Sequence, residues 1–132
     1  MAASLLPPAA PDDSEHFQQA PRFLPLETIG VRFHASPLLA GRRVFGIISD
    51  ISETGACIIS NLPLPPGIEV RLSIETRRRK SPLEVSARVV WCAERLEPIK
   101  EIVGVLTGVQ FAPEAAVSVR DLVGCGLFQA IP

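Results

Sequence analysis

The chain has 132 residues, a formal net charge of −1, 47% hydrophobic residues and 20% charged ones. That length suits one domain, and a domain of this size buries roughly two thirds of its unfolded surface, so it needs neither a metal nor a disulfide to fold. The near-neutral charge argues against a surface that grips nucleic acid as a whole, and leaves room only for local clusters of cations.

Residues 1–20 are rich in Ala, Pro, Asp and Gln and lack periodicity, which predicts a flexible N-terminal arm ahead of a domain over 21–132. The opening "MAASLLPPAAPDD" has no basic region, and Pro7 and Pro8 break its apolar patch, so it does not read as a signal peptide. No apolar run approaches the ~20 residues of a membrane span. A cytoplasmic protein without membrane insertion is expected.

Pro21 and Pro25 stiffen "APRFLPLE" into an extended entry. Strand signals follow. "ETIGVRFH" alternates Ile29, Val31 and Phe33 with Arg32 and His34, and "RRVFGIIS" is a nearly continuous apolar run ending at Asp50. "GACIIS" comes next, then the turn "NLPLPPG". "IEVRLSIE" sets Ile68, Val70, Leu72 and Ile74 against Glu69, Arg71, Ser73 and Glu75. "PLEVSARVVWCAE" places Leu83, Val85, Ala87, Val89 and Trp91 on one face, and "EIVGVLTGVQFA" is β-branched and punctuated by glycine. Period two with regular turn signals predicts an all-β barrel or sandwich of about six antiparallel strands.

The tail changes period. Pro113 and Glu114 suit a first helical turn, and Val117, Leu122, Val123 and Leu127 would form one apolar face through "AAVSVRDLVGCGLF". Gly124 and Gly126 weaken its end.

Cys57, Cys92 and Cys125 are odd in number and lack a C-x-x-C pair, so they read as reduced, apolar packing residues. His16 and His34 stand far from any acid or cysteine at ligand spacing, so no metal site and no catalytic set is expected. The basic run Arg77–Lys80 reads as a solvated hairpin tip or as an anion or partner contact. Arg42 and Arg43 read as an exposed strand start, or as a local source of positive charge.

One stretch asks for more. "SDISETGAC" packs Asp50, Ser52 and Gly55 between two apolar strands. As a turn it needs no ligand: Asp50 and Ser52 can bond backbone amides, and Gly55 can supply a positive φ. Yet D-x-S-x-x-G, followed by an apolar strand, a "PLPPG" turn, a later "VVW" and "GVQF" before a terminal helix, resembles the PilZ family from about Gln18 onward.

That resemblance implies a six-stranded antiparallel barrel with a flanking C-terminal helix, and no enzymatic activity. It also implies binding of cyclic di-GMP, a bacterial second messenger, through R-x-x-x-R on the entry loop and D-x-S-x-x-G beyond it. Arginine suits such a ligand because its fork binds phosphate, reads a guanine edge or stacks on the ring. Asp50, Ser52 and Gly55 match the second motif, and Arg22 matches the second arginine of the first. Gln18 stands where the first arginine belongs.

Two functional expectations follow from the resemblance. The chain is a cyclic di-GMP receptor, monomeric or homodimeric, that relays ligand level to a protein partner through Gln18, Arg22, Asp50, Ser52 and Gly55. Alternatively, Gln18 marks a module that has lost the ligand and works as a protein-binding adaptor in motility or pilus function.

Overall fold

The alternation along the sequence becomes the two faces of one closed sheet. The computed structural model describes residues 21–35, 41–94 and 104–131. The predicted arm over 1–20, with His16 and Gln18, lies outside the described residues. The described residues form eight strands: β1 (Phe23–Pro25), β2 (Gly30–His34), β3 (Val44–Ile51), β4 (Gly55–Ser60), β5 (Glu69–Glu75), β6 (Leu83–Glu94), β7 (Val105–Phe111) and β8 (Phe128–Ala130). Six of them run in the order β2-β5-β6-β7-β4-β3, and β3 returns to β2 to close an antiparallel barrel. Closure removes the exposed edges that an open sheet of this size would carry.

Inward positions follow the predicted period. Ile29, Val31, Phe33, Val70, Leu72, Ile74, Val85, Ala87 and Val89 are buried in one cluster. Each fully buried Ile or Leu, such as Leu72, contributes ~1.5–3 kcal/mol. Ser73 is buried although it points outward, because its hydroxyl donates to Glu84 Oε2 at 2.6 Å and contacts His34 Nε2 at 3.0 Å.

Two register shifts redirect side chains in ways that simple alternation does not predict. One lies between Ile48 and Asp50 in β3, the other between Val89 and Trp91 in β6. An extra residue at a bulge flips the face that follows. Val89 therefore joins the barrel interior, whereas Trp91 pairs with Gly108 and packs in a second cluster with Cys57, Ile59 and Leu106 on the outer wall. The expectation that Trp91 shares a face with Val89 is thus corrected.

The tail also departs from expectation. A 3-10 turn, Pro113–Ala115, leads into helix α1, Ala116–Val123, which stops at Gly124. Ala115, Val119 and Leu122 pack on the barrel core, whereas Val117 is 65% exposed. Positions 117 and 119 point to opposite sides of a helix with 3.6 residues per turn, so burying Val119 turns Val117 to solvent. Gly126, with φ of 95°, reverses the chain in the left-handed region that glycine tolerates. Leu127 then packs on the core from beyond the helix, and β8 pairs with β1. β1 in turn meets β3 where Phe23 faces Ile51. These two short strands are the additions to the six predicted.

Candidate ligand-binding face

The turn between β3 and β4 is built by Ser52. Its backbone N–H donates to Gly55 O at 2.8 Å, while its Oγ accepts from the amides of Thr54 and Gly55, each at 3.3 Å. Ser52 is fully buried, so its hydroxyl is committed to the turn. Gly55 opens β4 as a strand residue opposite Gln110, which corrects the turn role expected for it. Phe111 N–H donates to Thr54 O at 2.8 Å, and Arg120 of α1 reaches Glu53 Oε1 at 3.1 Å. Strand β7 and the helix thus hold the turn from two sides.

The bulge before Asp50 turns its carboxylate onto the outer wall. Cross-strand partners share a face. Asp50 opposes Cys57, Cys57 opposes Gly108, and Gly108 opposes Trp91, so these four form one row across β3, β4, β7 and β6. The Trp91 ring lies directly over Gly108, where an added Cβ would come within 2.2 Å of Cε2 and Nε1. Glycine here makes the seat for the indole.

Arg22 joins this row from the entry segment. Its Nε donates to Asp50 Oδ1 at 2.8 Å, and Nη2 donates to the same oxygen. The backbone of Arg22 is fixed too, because its carbonyl accepts from Ile131 N–H at 2.9 Å beside β8. Burial pushes the Cys57 thiol up to about 12 from its ordinary 9.0; the neighbouring Asp50 carboxylate adds to the rise, and Arg22 offsets part of it. Cys57 is therefore a packing residue rather than a nucleophile.

Of the residues expected to form the site, Arg22, Asp50, Ser52 and Gly55 come together at one end of β3. Gln18 lies outside the described residues. Arg42 and Arg43 sit at the opposite end of β3 and do not reach Asp50. Among the described residues no cluster of His, Cys, Asp or Glu could hold a metal ion, and no helix is long and apolar enough to cross a membrane.

This arrangement, a closed barrel with D-x-S-x-x-G on the turn leaving β3, can be set beside known proteins. The family model for the PilZ domain matches residues 17–129. The chain belongs to the PilZ domain family. PilZ domains are ligand-binding and adaptor modules, not enzymes. No curated protein matches the chain by sequence. Among solved structures, the fold is similar to the PilZ domain with c-di-GMP of YcgR from Escherichia coli, at 13% identity and a TM-score of 0.58, covering 80% of this chain and 87% of that one. It is also similar to the Bacillus subtilis inhibitor of motility MotI/DgrA, at 15% identity and a TM-score of 0.52, covering 81% of this chain and 51% of that one.

Sequence reasoning missed Trp91, Cys57 and Gly108 as members of the outer row. The signal is partial: "VVW" and "GVQF" contain Trp91 and Gly108, but the bulge that turns the indole outward has no marker in the sequence.

Proposed function

We propose that this PilZ domain binds cyclic di-GMP on the outer wall at Asp50 and relays the level of the messenger to a protein partner. The observation that carries this reading is the Arg22–Asp50 pair, which holds a guanidinium against the wall beside the D-x-S-x-x-G turn. The structural similarity to the YcgR PilZ domain with c-di-GMP supports the ligand class.

Each residue then has a physical task. Arg22, already set against the wall, binds a phosphate or a guanine face. The Asp50 carboxylate, held at Oδ1 by the Arg22 donors, accepts an N–H from a guanine edge. Ser52 keeps the turn in shape from inside, and Gly55 leaves space on the wall. Trp91 supplies an apolar boundary at the far end of the row. Gln18 contributes a neutral hydrogen bond where an arginine would add a charged fork. Ligand contacts with the entry segment change the surface offered to a partner, a two-state switch biased by its preferred ligand.

Mapping backbone amide shifts on adding cyclic di-GMP tests this assignment. Shifts concentrated at Arg22 and at Asp50–Gly55 support it, and an unchanged spectrum rules it out.

Gln18 favours a second reading, in which the module works as a protein-binding adaptor without the ligand. This reading predicts an unchanged wild-type spectrum, and a response to cyclic di-GMP only in Gln18→Arg.

A further inference from the structure

Arg42 and Arg43, too far from Asp50 to serve that site, belong to a separate feature. The outer wall of β2 and β3 carries a groove of about 660 Å³, lined among others by Arg32, His34, Arg42, Arg43, Phe45 and Glu75. Volumes of this order are typical of small-molecule sites. Phe45 and Asp50 lie five residues apart on β3, roughly 17 Å at the rise of a strand, so the groove and the Arg22–Asp50 site are distinct.

Charge and shape in the groove point the same way. Arg32 is matched by Glu75 at 3.5 Å. Among the described residues no carboxylate pairs with Arg42 or Arg43, and both are exposed. Phe45 stands 53% exposed and directly opposite Arg32 across the strand pair. An aromatic ring exposed to water beside an arginine, in a groove that two further arginines line, is a surface on which a second flat ring can stack, with its anion held by the arginine forks.

The backbone beneath is fixed before any ligand arrives. Asn61 clamps it: Phe45 N–H donates to Asn61 Oδ1 at 2.9 Å, Asn61 N–H donates to Phe45 O at 3.0 Å, and Asn61 Nδ2 donates to Arg43 O at 3.0 Å. Strand β4 passes so close that a Cβ on Gly46 would meet Ile59 O at 2.1 Å, so only glycine lets the two strands approach here. Preorganisation of this kind lowers the ordering cost of binding.

We infer that this groove is a second ligand site, for a compact phosphate ester bearing a flat aromatic ring, of the nucleoside monophosphate class. The phosphate lies on Arg42 and Arg43, and the base stacks on Phe45. The inference does not depend on the reading of Arg22 and Asp50.

Titration of the full chain with 5′-GMP and 5′-AMP, followed by amide shifts, tests it. Ribose 5-phosphate and guanosine serve as the separated halves, and an Arg22→Ala/Asp50→Ala variant isolates the groove. The inference expects shifts at Gly30, Arg32, Phe45 and Gly46 at millimolar nucleotide, unchanged in that double variant. It expects Phe45→Ala to weaken nucleotide binding about tenfold, with native thermal stability, because stacking supplies that much. Arg42→Gln/Arg43→Gln should abolish it. No shift in the groove, or equal binding of ribose 5-phosphate with no effect of Phe45→Ala, overturns the inference and leaves at most a nonspecific anion contact. Shifts in the groove with cyclic di-GMP but with neither mononucleotide overturn the ligand class.

Discussion

Arg22 and Asp50, 28 positions apart in sequence, are joined by two guanidinium donors that converge on a single carboxylate oxygen. The pair ties the entry segment to the wall of the barrel at the point where β3 bulges. A loop held this way arrives at its ligand partly ordered, so less conformational entropy is lost on binding.

Replacing the neutral amide at the first motif position by a cation adds a charge-assisted contact. Gln18→Arg is expected to tighten cyclic di-GMP binding by about ten- to a hundredfold, the equivalent of ~1.5–3 kcal/mol. Affinities of the two proteins measured side by side check this, and equal values contradict it.

Ser52 holds the β3–β4 turn from inside. Ser52→Ala leaves two amides, those of Thr54 and Gly55, without the acceptor they share. Stability should fall by ~1–3 kcal/mol, read from urea unfolding.

Gly108 is the seat of the only tryptophan in the chain. Gly108→Ala forces the indole off the wall and should cost ~1–3 kcal/mol, with a red shift in tryptophan fluorescence as the ring meets water. Because the chain has no tyrosine, Trp91 fluorescence also reports on the outer row without interference.

The Cys57 thiol gives stability an alkaline limit. In the unfolded chain it ionises at its ordinary 9.0, but in the fold only at about 12. Between those values the unfolded state binds fewer protons, so stability falls as pH rises, by at most ~1.4 kcal/mol per pH unit; below the lower value the group contributes no slope. Cys57→Ala should remove this part of the slope, as measured by urea unfolding at about pH 8 and about pH 10.

Much of the barrel was legible because burying one face of a strand forces period two. Ile29, Val31 and Phe33, or Val70, Leu72 and Ile74, could point nowhere else. Alternation puts Trp91 on the wrong face because a bulge is one extra residue, and nothing in "RVVWCAE" distinguishes it from a continued strand. Val117 was misplaced because a short helix buries a narrow stripe, and Val119 and Leu122 fill it. β8 was hidden because "GLFQA" takes its extended form from pairing with β1, a tertiary contact. At the candidate site, the motif marked Asp50, Ser52 and Gly55 as neighbours. That Ser52 points inward while Asp50 points outward followed only from the register.

The residue roles proposed here all rest on cyclic di-GMP binding to the wall at Asp50. Isothermal titration of the wild type, beside Arg22→Ala and Asp50→Ala, tests it most directly. Saturable heat is expected in the wild type, with at least about tenfold weaker binding in each variant, since each loses a charge-assisted contact. No heat from the wild type at tens of micromolar protein and hundreds of micromolar ligand, or undiminished binding in both variants, would contradict it.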